Sequence, residues 1–215
     1  MTRVKVCGIT NLDDAAYAAD AGAWALGMIF APESVRRCAP EDAEAIGSEL
    51  RRRVELAGVF VNAELDEVAA LADLCSLSLV QLHGDEGPAY CVEVARRTGA
   101  KVIKAVRARD QQSIRALGAY RDRVAFHLVD AYVEGMRGGT GETFAWDLLK
   151  DRHSAVPLIV SGGITPDNAA GAVRELKPFA VDSASGTEAS PGRKDPAKVS
   201  ALLRAVEQAS QATAA

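Results

Sequence analysis

Eight short apolar runs recur along the chain, each followed by an amphipathic segment, and this alternation limits the fold more than any other feature. The runs end or lie at Cys7, Ala25 to Phe30, Val54 to Val61, Leu77 to Leu82, Val102 to Val106, Val124 to Val129, Leu158 to Val160 and Phe179 to Val181. The segments between them start at Asn11, Glu41, Glu64, Pro88, Gln111, Trp146, Pro166 and Pro196. Asn11 is placed to cap the first helix and Gly22 to stop it. Strands that alternate with helices imply parallel strands covered on both faces. With eight units, an α/β fold of the closed (β/α)8 TIM-barrel type is expected, as one domain over residues 1–215. A flavodoxin-like or Rossmann sheet is the alternative. It would need fewer strands and a phosphate loop after the first, and Gly8-Ile9-Thr10 is not such a loop.

Charge and composition narrow the partners. A formal net charge of -4 argues against nucleic acid, whose binding rests on a basic face. The apolar runs are far shorter than the roughly 20 residues of a membrane span, and Lys5 and Cys7 interrupt any signal-peptide pattern. Cys7, Cys38, Cys75 and Cys91 show no Cys-x-x-Cys spacing, so a cytoplasmic chain with free thiols is expected, without a disulfide framework or metal site.

The chemistry-bearing residues fall at the strand ends, which a barrel gathers on one rim. In the first strand Val4 and Val6 point one way, and Arg3, Lys5 and Cys7 the other. An ammonium at Lys5 favours the thiolate of Cys7, the form that acts as base or nucleophile. A buried structural cysteine is the other reading. Arg36 follows strand two and can clamp an anion or be solvated. Gln81 and His83 share a face at the end of strand four, and His83 reads equally as a ligand contact or a satisfied histidine. Asp130 ends strand six, as an acid or a cap. Gly139 and Gly141 lie in the glycine-rich loop after it, either a lid or a long surface loop. Gly162 and Gly163 end strand seven, and Asp182, Ser185 and Gly186 follow strand eight. Barrels often bind phosphate with these last two loops, on glycine-exposed backbone N–H groups; two ordinary turns is the alternative.

The order and spacing of these motifs resemble the phosphoribosylanthranilate isomerase family. The likeness runs from Lys5-Val6-Cys7-Gly8-Ile9-Thr10 and Ser34-Val35-Arg36 through Gly58-Val59-Phe60-Val61-Asn62 and Val80-Gln81-Leu82-His83-Gly84. It continues at Ile103-Lys104-Ala105, Leu128-Val129-Asp130, Gly138-Gly139-Thr140-Gly141, Ser161-Gly162-Gly163-Ile164, Val181-Asp182-Ser183 and Pro191-Gly192-Arg193-Lys194-Asp195. The resemblance implies an Amadori rearrangement of N-(5-phosphoribosyl)anthranilate in tryptophan biosynthesis. It implies Asp130 as general acid and Cys7 as general base. Lys5, Arg36, Gln81 and His83 would meet the substrate, with Arg36 on the anthranilate carboxylate. Gly139, Gly141, Gly162, Gly163, Asp182, Ser185 and Gly186 would surround the phosphate. It implies no metal or organic cofactor, a small phosphosugar anthranilate as the only partner, and a monomer or homodimer. Four positions depart from the family pattern: Arg37 and Cys38 replace an aromatic and an aliphatic residue, Ala145 replaces an aspartate, and Ala184 breaks a serine pair.

Competing readings differ at named residues. An isomerase that also serves histidine biosynthesis normally has an aspartate base where Cys7 stands. A ribulose-phosphate epimerase needs metal-binding histidines at several strand ends, and His83, His127 and His153 are not so distributed. A phosphate-binding protein without catalysis would not need both Cys7 and Asp130.

Overall fold

A computed structural model describes residues 1–131, 146–149, 152 and 154–214. Its eight parallel strands pair in chain order: β1 (Arg3–Cys7), β2 (Ala25–Ile29), β3 (Glu55–Phe60), β4 (Leu79–Leu82), β5 (Lys101–Arg107), β6 (Phe126–Asp130), β7 (Leu158–Ser161) and β8 (Ala180–Ser183). β8 closes on β1 from Arg3↔Ala180 to Val6↔Ser183, so the sheet is a barrel and not an open doubly wound sheet.

The pleat of β1 explains the sorting of its side chains. Val4 and Val6 pack outward with Ala15 and Ala18 of the first helix, while Lys5 and Cys7 turn inward. Inside the barrel, small Ala25, Ala57 and Ala180 face large Leu79, Ile103 and Ile159, which fills the space without a pore. Trp24, Phe126 and Phe179 close its base, with ring centroids 5.6, 5.1 and 4.9 Å apart. Above the apolar layers the interior turns polar: Lys5, Gln81 and Asp182 are 0, 1 and 4 % exposed. Packing alone does not call for polar groups there.

Local signals set most boundaries. The Asn11 side chain accepts the Asp14 amide at 2.9 Å, as an N-cap does, and Gly22 adopts φ +100° just past the helix end. One expected helix starts late: the spacing predicts Pro166, but the helix runs Ala169–Leu176. Asn168 accepts the Thr165 amide at 2.9 Å and donates to the Gly163 carbonyl at 2.8 Å, so its side chain builds the preceding loop instead. A two-stranded hairpin, Glu188–Ser190 with Arg193–Lys194, has no counterpart in the sequence reading. Lys104 faces outward, buried, and donates to Glu86 at 2.7 Å and the Gly84 carbonyl at 2.6 Å. It ties down the loop that follows His83.

His127 is buried on the outer face of β6, and its Nδ1 accepts from Arg152 at 3.1 Å. Burial, with the nearby Arg152 and Arg121 charges, lowers its pKa from 6.5 to about 4. The unfolded chain therefore binds this proton at higher pH than the folded one. Stability is full above 6.5 and falls as pH drops towards about 4. Thermal melts of wild type against His127→Gln should show a steeper loss in the wild type across that window.

Candidate active site

The rim is built around the end of β1. Cys7 is 5 % exposed, and Gly8 then turns the chain with φ +77°. A side chain at Gly8 would begin 2.9 Å from Arg36 Cδ, so glycine is needed for shape as well as backbone. Lys5 lies one pleat below. Its ammonium donates to Asp182 Oδ1 at 2.8 Å, and Ser161 Oγ donates to Asp182 Oδ2 at 3.1 Å. Burial works against the Lys5 ammonium, but the Asp182 carboxylate outweighs it and raises the pKa. For Cys7 the balance is reversed. Burial raises its pKa above the ordinary 9.0, and the Lys5 charge only partly offsets this. The expected ammonium is present, yet the resting group is a thiol rather than a thiolate.

Lys5 and Asp182, expected at the substrate and the phosphate, are paired with each other. Lys5 has no exposed surface and its ammonium is engaged by Asp182. Asp182 on β8 is held by Lys5 and Ser161 and borders the rim cavity.

Arg36 lies beside Gly8. Its Nε donates to Glu188 Oε1 at 2.8 Å and its Nη2 to Glu188 Oε2 at 2.9 Å, a two-pronged pair that leaves the Nη1 side for another anion. Lys194 donates to the Cys7 carbonyl at 2.6 Å, the Ala184 carbonyl at 3.0 Å and Glu188 Oε1 at 3.4 Å. The hairpin thus fastens the ends of β1 and β8 together. Burial pushes the Glu188 carboxyl up, but Arg36 and Lys194 hold it below its ordinary value. Glu188 is absent from the sequence-based site, because a glutamate on an unforeseen hairpin carries no motif.

Asp130 ends β6, next to Arg107 on β5 and Ser161 on β7. His83 Nε2 stands 3.9 Å from Asp130 Oδ2, and Gln81 Nε2 lies 3.3 Å from His83 Nδ1. With Gln81 donating to Nδ1, the proton of a neutral ring sits on Nε2 and faces Asp130. Burial lowers the His83 pKa more than the Asp130 charge raises it, so the ring is neutral at ordinary pH. His83 Nε2 and Gln81 Oε1 are buried with no hydrogen-bond partner. Two unused polar atoms on one face fit an incoming polar ligand better than a packed core.

A cavity of about 760 Å³ opens on this rim. Asp130, Ser161, Gly162, Gly163, Asp182 and Ser185 line it, together with Arg107 and Arg109. The loop conformations depend on glycine at particular points. Gly162 and Gly163 have φ of +89° and +69°, and a Cβ on Gly186 would collide with the Ile164 carbonyl. Arg107 and Arg109 give the wall positive charge, and Arg107 also borders a smaller cavity beside His83. Arg107 ends β5 and Arg109 lies just beyond it, and neither is among the expected site residues.

The structure therefore gathers Asp130, His83, Gln81 and the strand-seven and strand-eight loops at one end of the barrel. Cys7 lies at the same end, joined to the cavity wall through Lys5–Asp182 and through Lys194 to Ala184. Gly139 and Gly141 lie outside the described residues. Cys38, Cys75 and Cys91 are free, buried and pushed by burial to about 12, 11 and 11, which leaves them inert. Among the described residues no group of three or more His, Cys, Asp or Glu is arranged to hold a metal.

Arg36→Met should raise KM roughly 10–100-fold with little change in kcat, the effect of one charged hydrogen-bond pair. Glu188→Gln should move KM in the same direction by less, because the guanidinium loses its anchor but keeps its charge. Steady-state kinetics of the two variants check this.

The family model described as N-(5'phosphoribosyl)anthranilate (PRA) isomerase matches residues 4–205. The N-(5'-phosphoribosyl)anthranilate isomerase of Citrifermentans bemidjiense is 50% identical over 203 residues, covering 94% of this chain and 96% of the relative. The crystal structure of phosphoribosyl anthranilate isomerase from Thermotoga maritima is similar with a TM-score of 0.86 and 40% identity, covering 97% of this chain and 100% of that one. A second solved structure, of a phosphoribosyl anthranilate isomerase in complex with reduced 1-(o-carboxyphenylamino)-1-deoxyribulose 5-phosphate, has a TM-score of 0.83 and 38% identity, with the same coverage.

Proposed function

The chain belongs to the N-(5'-phosphoribosyl)anthranilate isomerase family, and from that membership and the rim geometry we infer what each residue does in the reaction. The chain is an aldose–ketose isomerase of tryptophan biosynthesis. It converts N-(5-phosphoribosyl)anthranilate into 1-(2-carboxyphenylamino)-1-deoxyribulose 5-phosphate by general acid–base catalysis.

Asp130 gives a proton to the furanose ring oxygen as the C1–O bond breaks, and the nitrogen lone pair forms an iminium at C1. Cys7, once its thiol proton has passed to solvent, takes the C2 proton as the thiolate. The C2–H electron pair becomes the C1–C2 double bond, and the iminium π pair returns to nitrogen. The enolamine then tautomerises: C1 gains a proton, the C2 hydroxyl loses one, and exchange with solvent restores both catalytic groups. The iminium is itself the electron sink, so no step calls for a metal or an organic cofactor. Arg36 meets the anthranilate carboxylate on its Nη1 side, and Gln81 and His83 meet the sugar. Backbone N–H groups of Gly162, Gly163, Ser185 and Gly186 receive the phosphate, with Arg107 and Arg109 adding charge.

The observation that carries this assignment is the single cavity shared by Asp130, two arginines and both glycine-containing loops at the strand ends. Residues 1–215 act as one catalytic domain, monomeric or homodimeric and cytoplasmic. No helix among the described residues is long and apolar enough to cross a membrane. The test is turnover of freshly prepared substrate, followed by loss of anthranilate-type fluorescence. Failure to turn over, with the reduced product still bound, would reduce the site to a binding function.

A further inference from the structure

We propose that Lys5 is the positioning residue that lets Cys7 carry a negative charge, and that Asp182 and Ser161 exist to hold Lys5 in place. This rests on the reading of Cys7 as the base. Lys5 is fully buried, and its long side chain is fixed by Asp182 at 2.8 Å, which Ser161 holds in turn at 3.1 Å. Stability does not require such an arrangement, since apolar residues of similar volume often replace a buried ion pair without loss. The Lys5 charge favours the Cys7 thiolate, and both groups reach towards the same point of β2.

The neighbouring strand keeps this contact open. A Cβ at Gly27 of β2 would begin 2.6 Å from Cys7 Sγ and 3.0 Å from Lys5 Nζ. Gly27 has no turn to make at mid-barrel, so its missing side chain is accounted for by the two groups it faces.

Charge accounting gives the pair its purpose. In the resting site Asp182 and Lys5 cancel, and Cys7 is neutral. Losing the thiol proton places a negative charge in a nearly dry position, which burial opposes. Among the nearby cations Lys5 favours the thiolate most. Two further cations face Cys7: Lys194 from the hairpin and Arg36 from the loop after β2. Both are engaged by Glu188, and Lys194 also by two backbone carbonyls. Asp182 from β8 opposes the thiolate, and His83, just past β4, faces the Lys5–Asp182 pair as a neutral ring. Lys5 therefore decides how much thiolate is available when substrate is bound.

The test compares wild type with Lys5→Met/Asp182→Asn, which removes the pair without stranding a buried charge. The readouts are the pH dependence of kcat/KM and the ultraviolet thiolate absorbance, each referenced to a Cys7→Ser partner. An opposite charge at this range shifts a titration by roughly 1–3 units. Asp182, which opposes the thiolate, leaves together with Lys5, so the Cys7 midpoint should rise by less than this, with kcat at neutral pH lowered in step and recovering in alkali. KM should change little. Lys5→Arg, which keeps the charge, should restore part of the lost rate. Lys5→Gln/Asp182→Asn serves the same purpose should the apolar variant not fold. An unchanged midpoint, or a rate loss of equal size at every pH, would make Lys5–Asp182 a structural tie only and overturn the proposal. Turnover by Cys7→Ser at the wild-type rate would instead remove the base reading itself. An inactive Cys7→Ser beside an unshifted Lys5 variant would remove this proposal alone.

Discussion

Cys7→Ala should lose roughly 10²–10⁴-fold in kcat, the range a positioned proton-transfer group contributes. The loss should fall on turnover rather than on the fold. The thiol is small, and its carbonyl, not its sulfur, anchors Lys194 at 2.6 Å. The ends of β1 and β8 should therefore stay fastened in the variant. Nor should binding suffer much, since the cavity wall is made by other residues, Asp130, Ser161 to Ile164 and Ser185 among them. What disappears is the group that accepts the C2 proton, and no other described cysteine can replace it, because Cys38, Cys75 and Cys91 are held protonated by burial. Fluorescence turnover gives kcat. Calorimetric titration with the reduced product gives binding, which should stay within a few-fold of wild type. A variant that keeps its rate would move the base elsewhere.

Asp130→Asn should lose turnover on the same scale, roughly 10²–10⁴-fold, for a different step. Asparagine keeps the shape and a hydrogen bond but has no acidic proton for the ring oxygen. The neighbouring groups do not supply one. His83 is 3.9 Å away and is kept neutral by burial. Ring opening then becomes the slow step, where in Cys7→Ala it is C2 deprotonation. Because the two losses fall on successive steps, the double variant should be slower than either single one but by far less than the product of the two effects. Equal additivity on a logarithmic scale would mean that both residues act in one step.

The barrel was legible because each level of the sequence agreed with the others. Eight apolar runs, helix caps such as Asn11 and stops such as Gly22 all described the same strand–helix unit. Cys7, Asp130 and the glycine loops were legible for a related reason: they stand where a buried strand meets solvent, and packing does not explain them. Tertiary pairing was not legible. Nothing in the order of residues shows that Lys5 and Asp182, 177 positions apart, form one buried ion pair. The same holds for Arg36 and Glu188, separated by 152 positions. These contacts give Lys5 and Asp182, expected at the substrate and the phosphate, a buried partner in each other. The balance at Cys7 was also out of reach, since it depends on how far burial exceeds the effect of the ammonium. Arg109 could have been found from its place just after β5, by the same rule that found Arg36 after β2.

The most direct test of the account is a single-turnover experiment, in which excess enzyme meets freshly prepared phosphoribosylanthranilate and the loss of fluorescence is followed on wild type beside Cys7→Ser. Excess enzyme removes product release from the observed rate. The account predicts rapid loss with wild type and collapse in Cys7→Ser, although the variant still binds the reduced product. Loss at the wild-type rate in Cys7→Ser, or none in wild type that binds the reduced product, would contradict it.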